Sequence, residues 1–346
     1  MALPLQMPVP PMEALSVDEV PVGAEWQYEP KWDGFRALAF RDGQRVELQS
    51  KSGRSMARYF PEIVAALREL DAPRFILDGE LVVPHGAAFS FDALLQRIHP
   101  AASRVRKLAV ETPALFILFD ILVDTNGADL TGEPLHRRRA VLESFFKKYC
   151  RREQRLRLSP VTMRLAEARG WLKRVGATLD GVVAKRRDLE YRSGSRDGMQ
   201  KIKNYRSADC VVGGFRTNEG SPLVGSLLLG LYDSDGLLHH VGFTSTIKRV
   251  DKPALTKKLK GLIAPPGFTG NTPGGPSRWS TSRSAEWQPL KPKLVVEVCY
   301  DHFSGGRFRH GTRLLRWRPD KAPRQCTLDQ VKQKKANLLF SAMLSK

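Results

Sequence analysis

Apolar positions along the chain follow two rhythms, and these set out its elements. Residues 26–50, WQYEPKWDGFRALAF followed by RDGQRVELQS, read as strands and turns. The Asp42-Gly43 pair predicts a hairpin between 37–40 and 45–48. After Pro61, the residues Ile63, Ala66, Leu67 and Leu70 fall at helical spacing. Residues 74–83 return to strand, and 115–122 (LFILFDIL) form an unbroken apolar run, read as a buried strand carrying one acid. Residues 137–157 predict a basic amphipathic helix. Val141, Leu142, Phe145, Phe146 and Tyr149 lie on one side, and Arg137, Arg138, Lys147, Lys148, Arg151 and Arg152 on the other. A further helix is predicted over 166–175 and a short strand over 181–185.

From about residue 208 the pattern changes to short strands and turns: DCVVGGF, SLLLGLYDSDG, LHHVGFTS, then 293–300 and 312–317. Such a series predicts a small β-barrel. Residues 265–289 are rich in Gly, Pro, Ser and Thr and read as a long loop, either functional or disordered. The expected organisation is a Pro-rich extended arm over 1–25, a mixed unit over 26–206 and a barrel over 207–346.

Composition narrows the partners. The chain has 346 residues, enough for about two domains. Its formal net charge of +20 favours a polyanion or an anionic surface. No apolar run is long enough for a spanning helix, and the start (MALPLQMPVPPM) does not read as a secretory signal. Cys150, Cys210, Cys299 and Cys326 form no CxxC pair and read as reduced thiols of a cytoplasmic protein. His239, His240, His302 and His310 show no metal-ligand spacing.

The candidate chemistry centres on Lys31-Trp32-Asp33-Gly34-Phe35-Arg36. Alone, a lysine before Asp-Gly reads as a turn with a solvated cation. Its company changes that: Asp78-Gly79-Glu80, Phe119-Asp120, DGVVAK at 180–185, Lys201-Ile202-Lys203 and Arg318-Pro319-Asp320-Lys321 follow in order. This series resembles the covalent nucleotidyltransferases, which include ATP-dependent DNA ligases, RNA ligases and capping enzymes. Within them the chain is similar to the short bacterial ligase C/ligase D type of ATP-dependent DNA ligase. The cues are EPKWDGFR at 29–36, LQSKSGR at 48–54, RYFPE at 58–62, FILDGELVV at 75–83, DGVVAKR at 180–186, YRSGSRDGMQKIK at 191–203 and RWRPDK at 316–321.

The resemblance implies an α+β fold: an adenylation domain of ATP-grasp-like type, then an OB-fold barrel. It implies a lysyl-AMP intermediate on Lys31, transfer of AMP to a 5′-phosphate, and displacement by a 3′-hydroxyl. A free lysine is neutral in roughly 1 molecule in 2,500 at pH 7, a deficit of about 4–5 kcal/mol. Crowding by Arg36, Lys201, Lys203 and a divalent metal would lower that barrier. The resemblance assigns Glu29, Arg36, Arg54, Glu80, Phe119, Lys185, Arg196, Lys201 and Lys203 to the nucleotide, with Phe119 stacking on adenine. It assigns Glu80 and Asp180 to Mg²⁺ or Mn²⁺, where many relatives carry Glu at the second position. Alternation puts Asp78 and Glu80 on one strand face, with Gly79 leaving room for ligand. Arg318, Asp320 and Lys321 match a mobile closing motif that meets the leaving pyrophosphate.

Residues 136–158 hold nine Lys/Arg against two acids, and 307–324 seven against one. Such clusters fit sequence-independent tracking of a phosphate backbone. Arg137, Arg138, Lys147 and Lys148 are the DNA-binding expectation, together with Lys51, which stands where many relatives have Arg. The expected protein is a monomeric, stand-alone minimal nick-sealing enzyme acting in repair on duplex DNA, with a Ku-type end-binding protein as a possible partner and no membrane association. Two readings compete with it: an RNA ligase or capping-type nucleotidyltransferase, and a catalytically silent, basic OB-type nucleic-acid-binding protein.

Overall fold

The computed structural model describes residues 3–86, 88–174, 179–274 and 286–332. One compact unit takes the chain to Asn204, and a second spans Tyr205–Lys332.

The first unit is built on two sheets. Its elements run β1 (Leu15–Val17), β2 (Trp26–Lys31), β3 (Phe35–Asp42), β4 (Arg45–Ser50), α1 (Pro61–Glu69) and β5 (Arg74–Val82). A two-residue ladder, β6 (Pro84–His85) with β7 (Ala88–Phe89), precedes α2 (Phe91–Gln96), α3 (Ala102–Glu111) and β8 (Leu115–Val123). Then come α4 (Leu135–Phe145), β9 (Leu156–Leu158), α5 (Leu165–Arg174), β10 (Gly181–Arg186) and β11 (Met199–Lys203). The larger sheet has the order β4-β3-β5-β8-β9 and the smaller the order β1-β11-β10-β2.

Strand alternation gives the larger sheet two apolar faces. Ala37, Ala39, Leu77, Leu81 and Leu118 pack with Ile63 and Leu67 of α1 and Leu142 and Phe145 of α4. Leu38, Phe40, Ile76 and Leu122 pack on the other side with Val9, Met12, Tyr191 and Met199. The Pro-rich arm is therefore part of the core, and its β1 pairs in parallel with β11. The smaller sheet buries Tyr28, Val182, Ala184 and Ile202 against Ala168 and Trp171 of α5. Its alternate positions are left for chemistry.

The helix expected over 137–157 is shorter. α4 ends at Phe145, a wider turn over Phe146–Cys150 follows, and the chain re-enters the large sheet as β9. Its predicted apolar side is correct, since Leu142 and Phe145 are buried. Its predicted basic side holds at Arg137, Lys147, Lys148, Arg151 and Arg152, which are exposed, but not at Arg138, which lies in the protein interior. Arg138 grips Asp120 through two hydrogen bonds of 2.9 Å and donates to the Glu133 carbonyl at 2.6 Å. The lone acid of the β8 run needs a cation there, because a buried charge without a partner is costly.

The second unit contains β12 (Arg206–Thr217), β13 (Val224–Tyr232), β14 (Leu238–Thr244), α6 (Lys252–Lys260), β15 (Gln288–Pro289), β16 (Val295–Tyr300), β17 (Phe303–Ser304), β18 (Arg307–Phe308) and β19 (Arg313–Trp317). The sheet order is β14-β13-β12-β16-β19, with β15 also on β12. Between the end strands β14 and β19 only an isolated bridge, Thr244 with Thr312, is found among the described residues. No continuous ladder closes this sheet into the expected barrel among the described residues. Its core includes Val211, Leu227, Leu229, Val241, Phe268 and Val296. Of the loop expected over 265–289, residues 275–285 lie outside the described residues, as do 333–346 of the expected barrel domain. Trp287 packs on Phe268 with ring centroids 5.5 Å apart.

Candidate active site

Register in the small sheet gathers the cations. Lys31 pairs with Gly181 and Gly181 with Lys203, so the two lysines flank a glycine across three strands. The next row on the same sheet face is Glu29, Val183 and Lys201. Gly181 has φ +147°, and a Cβ there would lie 1.9 Å from the Ile202 carbonyl oxygen. No side chain fits, which favours glycine at this position. The preceding residue, Asp180, accepts a short hydrogen bond from Lys31 Nζ, and Lys203 Nζ lies 3.9 Å from the same oxygen. The Asp180 amide also donates to the Lys31 carbonyl at 2.9 Å.

The large sheet supplies the acids and the aromatic ring. Arg36 on β3 is opposite Glu80 on β5. Gly34 lets the turn after Lys31 press against β5, since a Cβ there would meet the Leu81 carbonyl oxygen at 2.1 Å. Asp78, fully buried, binds Arg36 through two hydrogen bonds of 2.8 and 2.6 Å and accepts from the Tyr191 hydroxyl at 2.7 Å. Asp78 thus fixes Arg36, while Glu80 on the same strand lines the cavity. The freedom around Gly79 has a different use from the one expected. A Cβ there would meet the Ile117 carbonyl and the Phe116 ring, so the glycine serves strand packing, not ligand. Pairing shifts from Asp78–Asp120 to Gly79–Leu118, which makes Phe119 the extra residue of a bulge. Bulges redirect a side chain, and Phe119 accordingly lines the cavity. Arg36 lies 5.0 Å and Lys185 Nζ 4.4 Å from its ring centroid.

The resulting cavity, of about 200 Å³, is lined by Glu29, Lys31, Arg36, Lys51, Glu80, Phe119, Lys185 and Lys201, together with Pro11–Ala14 of the arm. Glu29 and Lys185 form a buried ion pair at 2.9 Å, and Gln27 donates to the same carboxylate at 3.1 Å. Burial pushes the Glu80 carboxyl up to about 7, against the pull of Lys31 and Arg36. The Lys201 amine is lowered, first by desolvation and then by Lys31, Lys203 and Lys51.

Other expected residues fall elsewhere. Arg54 is exposed on the turn after β4 and does not line the cavity. Arg196 is also exposed and pairs with Glu13 at 3.2 Å. Lys51, expected on DNA, lines the cavity and pairs with the same Glu13 at 3.0 Å. Arg138, expected on DNA, is buried on Asp120. Arg137, Lys147 and Lys148 are exposed. Arg318 binds Asp320 and Asp209 within the second unit. Sequence reasoning missed Glu13 and Tyr191. Glu13 follows a run of prolines with no motif around it, and Tyr191 was read only as part of a longer string.

Oxygen donors and a carboxyl that stays protonated to about pH 7 fit a hard divalent ion, which would displace that proton. Among the described residues no group of three or more His, Cys, Asp or Glu is placed to hold a metal. A divalent ion held by Glu80 or Asp180 would complete its shell with substrate oxygens and water, as Mg²⁺ does.

A family model described as ATP dependent DNA ligase domain matches residues 11–203, and one described as ATP dependent DNA ligase C terminal region matches 220–321. The chain is 44% identical to DNA ligase C2 of Mycolicibacterium smegmatis, covering 96% of each chain. It is 42% identical to DNA ligase C of Mycobacterium tuberculosis, again covering 96% of each. Among solved structures, a Lig E DNA ligase aligns with a TM-score of 0.55 at 16% identity, over 89% of this chain and 100% of that one, a likeness of fold alone. No described helix is long and apolar enough to cross a membrane.

Proposed function

The chain belongs to the ATP-dependent DNA ligases, and from that premise we propose how its residues divide the work of sealing a 5′-phosphate/3′-hydroxyl nick. Lys31 is the nucleophile. Its neutral amine attacks the α-phosphorus of ATP, forming the P–N bond as the bond to the pyrophosphate oxygen breaks. The AMP then moves to the 5′-phosphate of the nick and leaves when the 3′-hydroxyl attacks. The observation that carries this reading is the placement of Lys31 in one cavity with Glu80, Arg36, Phe119 and Lys201.

Asp180, which accepts a short hydrogen bond from Lys31 Nζ, is the group placed to take the proton the amine sheds as the P–N bond forms. Lys201 and Lys203, one row apart in β11, hold the α-phosphate. Arg36, braced by Asp78, contacts the nucleotide or the nick phosphate. Phe119 stacks on adenine, and Glu29 with Lys185 forms the floor beside it. Arg54 and Arg196 stand at the margin, where they meet outer phosphates or DNA. Mg²⁺ or Mn²⁺ at Glu80 and Asp180 would offset phosphate charge in the transfer. Arg318, Asp320 and Lys321 act on the departing pyrophosphate, and the second unit serves as an OB-type grip on duplex DNA. Arg137, Lys147 and Lys148 track the backbone. A role in break repair with a Ku-type partner belongs to the same proposal. Stimulation of end joining by a Ku-type protein tests it.

Incubation with labelled ATP tests the central step. The wild-type chain is expected to take up covalently bound AMP that withstands alkali and is released by acid, as a P–N bond requires, and Lys31→Ala none, with no label from GTP in either. Equal labelling of Lys31→Ala would overturn the assignment. Nick sealing by Lys31→Ala at the wild-type rate would overturn the mechanism, and DNA binding by a wild-type chain that neither takes up AMP nor seals nicks would favour the silent binding-protein reading.

A further inference from the structure

Each edge of the Arg318 guanidinium is engaged by a carboxylate of its own unit. Nε and Nη2 donate to Asp320 at 3.0 and 2.8 Å, and Nη1 donates to Asp209 at 2.8 Å. Lys321 Nζ lies 3.5 Å from the other Asp209 oxygen. Asp209 is no passing contact. It sits mid-strand on β12 opposite Glu297, its side chain 11% exposed. Its backbone is clamped on both sides by the Gln330 amide, at 3.0 and 3.1 Å. Glu297 binds Arg316 at 2.7 Å and lies 3.9 Å from Arg318. The three cations Arg316, Arg318 and Lys321 are thus matched by Asp209, Glu297 and Asp320. A guanidinium recognises phosphate through paired donors on one edge. Here no edge is open while both acids hold.

We propose that Asp209 is a positioning residue of the closing step: its carboxylate is a built-in competitor that Arg318 and Lys321 release before they take up the leaving pyrophosphate. This rests on the reading of 318–321 as the closing motif. Asp320 is the motif's own acid, whereas Asp209 stands on β12 of the same unit, so its release needs only that the side chains part. The competitor lowers the grip of the motif on free pyrophosphate, so product departs after adenylylation.

The test is the reverse reaction on the full chain. Pyrophosphate attacks the phosphorus of the lysyl-AMP, the P–N bond breaks, ATP forms and Lys31 recovers a proton. Asp209→Asn is expected to lower the half-saturating pyrophosphate concentration about threefold, the scale of one lost partly exposed ion pair. Its sealing of a pre-adenylylated nick without ATP should match wild type, and Asp209→Glu should stay near wild type in both assays. An unchanged pyrophosphate response in Asp209→Asn, or equal loss of both reactions, overturns the inference. Should that variant fail to fold, Glu297→Gln is expected to shift the response the same way by less, and no shift counts against it. Arg318→Ala separates the two readings. If it uses pyrophosphate as well as wild type, the closing-motif reading falls; if it fails while Asp209→Asn is unchanged, only the role of Asp209 falls.

Discussion

A carboxyl raised to about 7 among lysines and arginines marks where burial outweighs attraction. Glu80 keeps its proton in the folded chain across the interval where an unfolded glutamate, near 4.5, has already lost it. The native state therefore binds more protons between about pH 4.5 and 7, and stability falls as pH rises through that window. Thermal unfolding of the metal-free, ATP-free chain should show this decline, and Glu80→Gln should flatten it. The same substitution should weaken metal-dependent adenylylation, because an amide carries no charge for the ion. For Phe119 the expected effect concerns binding. Phe119→Leu keeps apolar volume and loses the π-face, so KM for ATP should rise about two- to tenfold with kcat little changed.

At the scale of elements, alternation and register explain most of what sequence made readable. The 37–40/45–48 hairpin, the helix after Pro61 and the strands at 74–83 and 115–122 are present because period and turn chemistry agree there. Lys31, Glu80, Phe119 and Lys201 were legible through ordered motifs, which place them on strands of two sheets that line one cavity. Arg138 was not legible. Helical spacing put it beside Arg137, and nothing local tells of Asp120, a buried acid on another strand. The walls made by Pro11–Ala14 were equally hidden, since their partners Tyr191 and Ser195 are remote in sequence. The two readings of α4 separate by experiment. Arg138→Met leaves Asp120 unpaired and should cost about 3–5 kcal/mol of stability. Lys147→Ala with Lys148→Ala should leave the unfolding midpoint nearly unchanged and weaken DNA binding.

For the whole molecule the governing quantity is a net charge of +20 on a substrate that is itself a polyanion. Affinity for a nicked duplex should fall steeply and log-linearly with salt, as released counterions require. The Lys147→Ala, Lys148→Ala double variant should reduce the magnitude of that slope by about 1.8 if both lysines meet phosphates. A filter-binding series over several salt concentrations measures both, and a flat response would remove the electrostatic account. The strand order of the second sheet was not legible, because it depends on non-local pairing, with β15 and β16 reached only after α6 and a long loop.

The parallel ladder between Leu15–Val17 and Gln200–Ile202 carries a consequence for biosynthesis. A ribosome releases the first of these strands long before the second exists, so the nucleotide cavity cannot be walled while the intervening chain is still being made. Capture of ATP is thereby a late event of translation. A nascent chain arrested short of β11 should remain blind to nucleotide however well its earlier strands have paired.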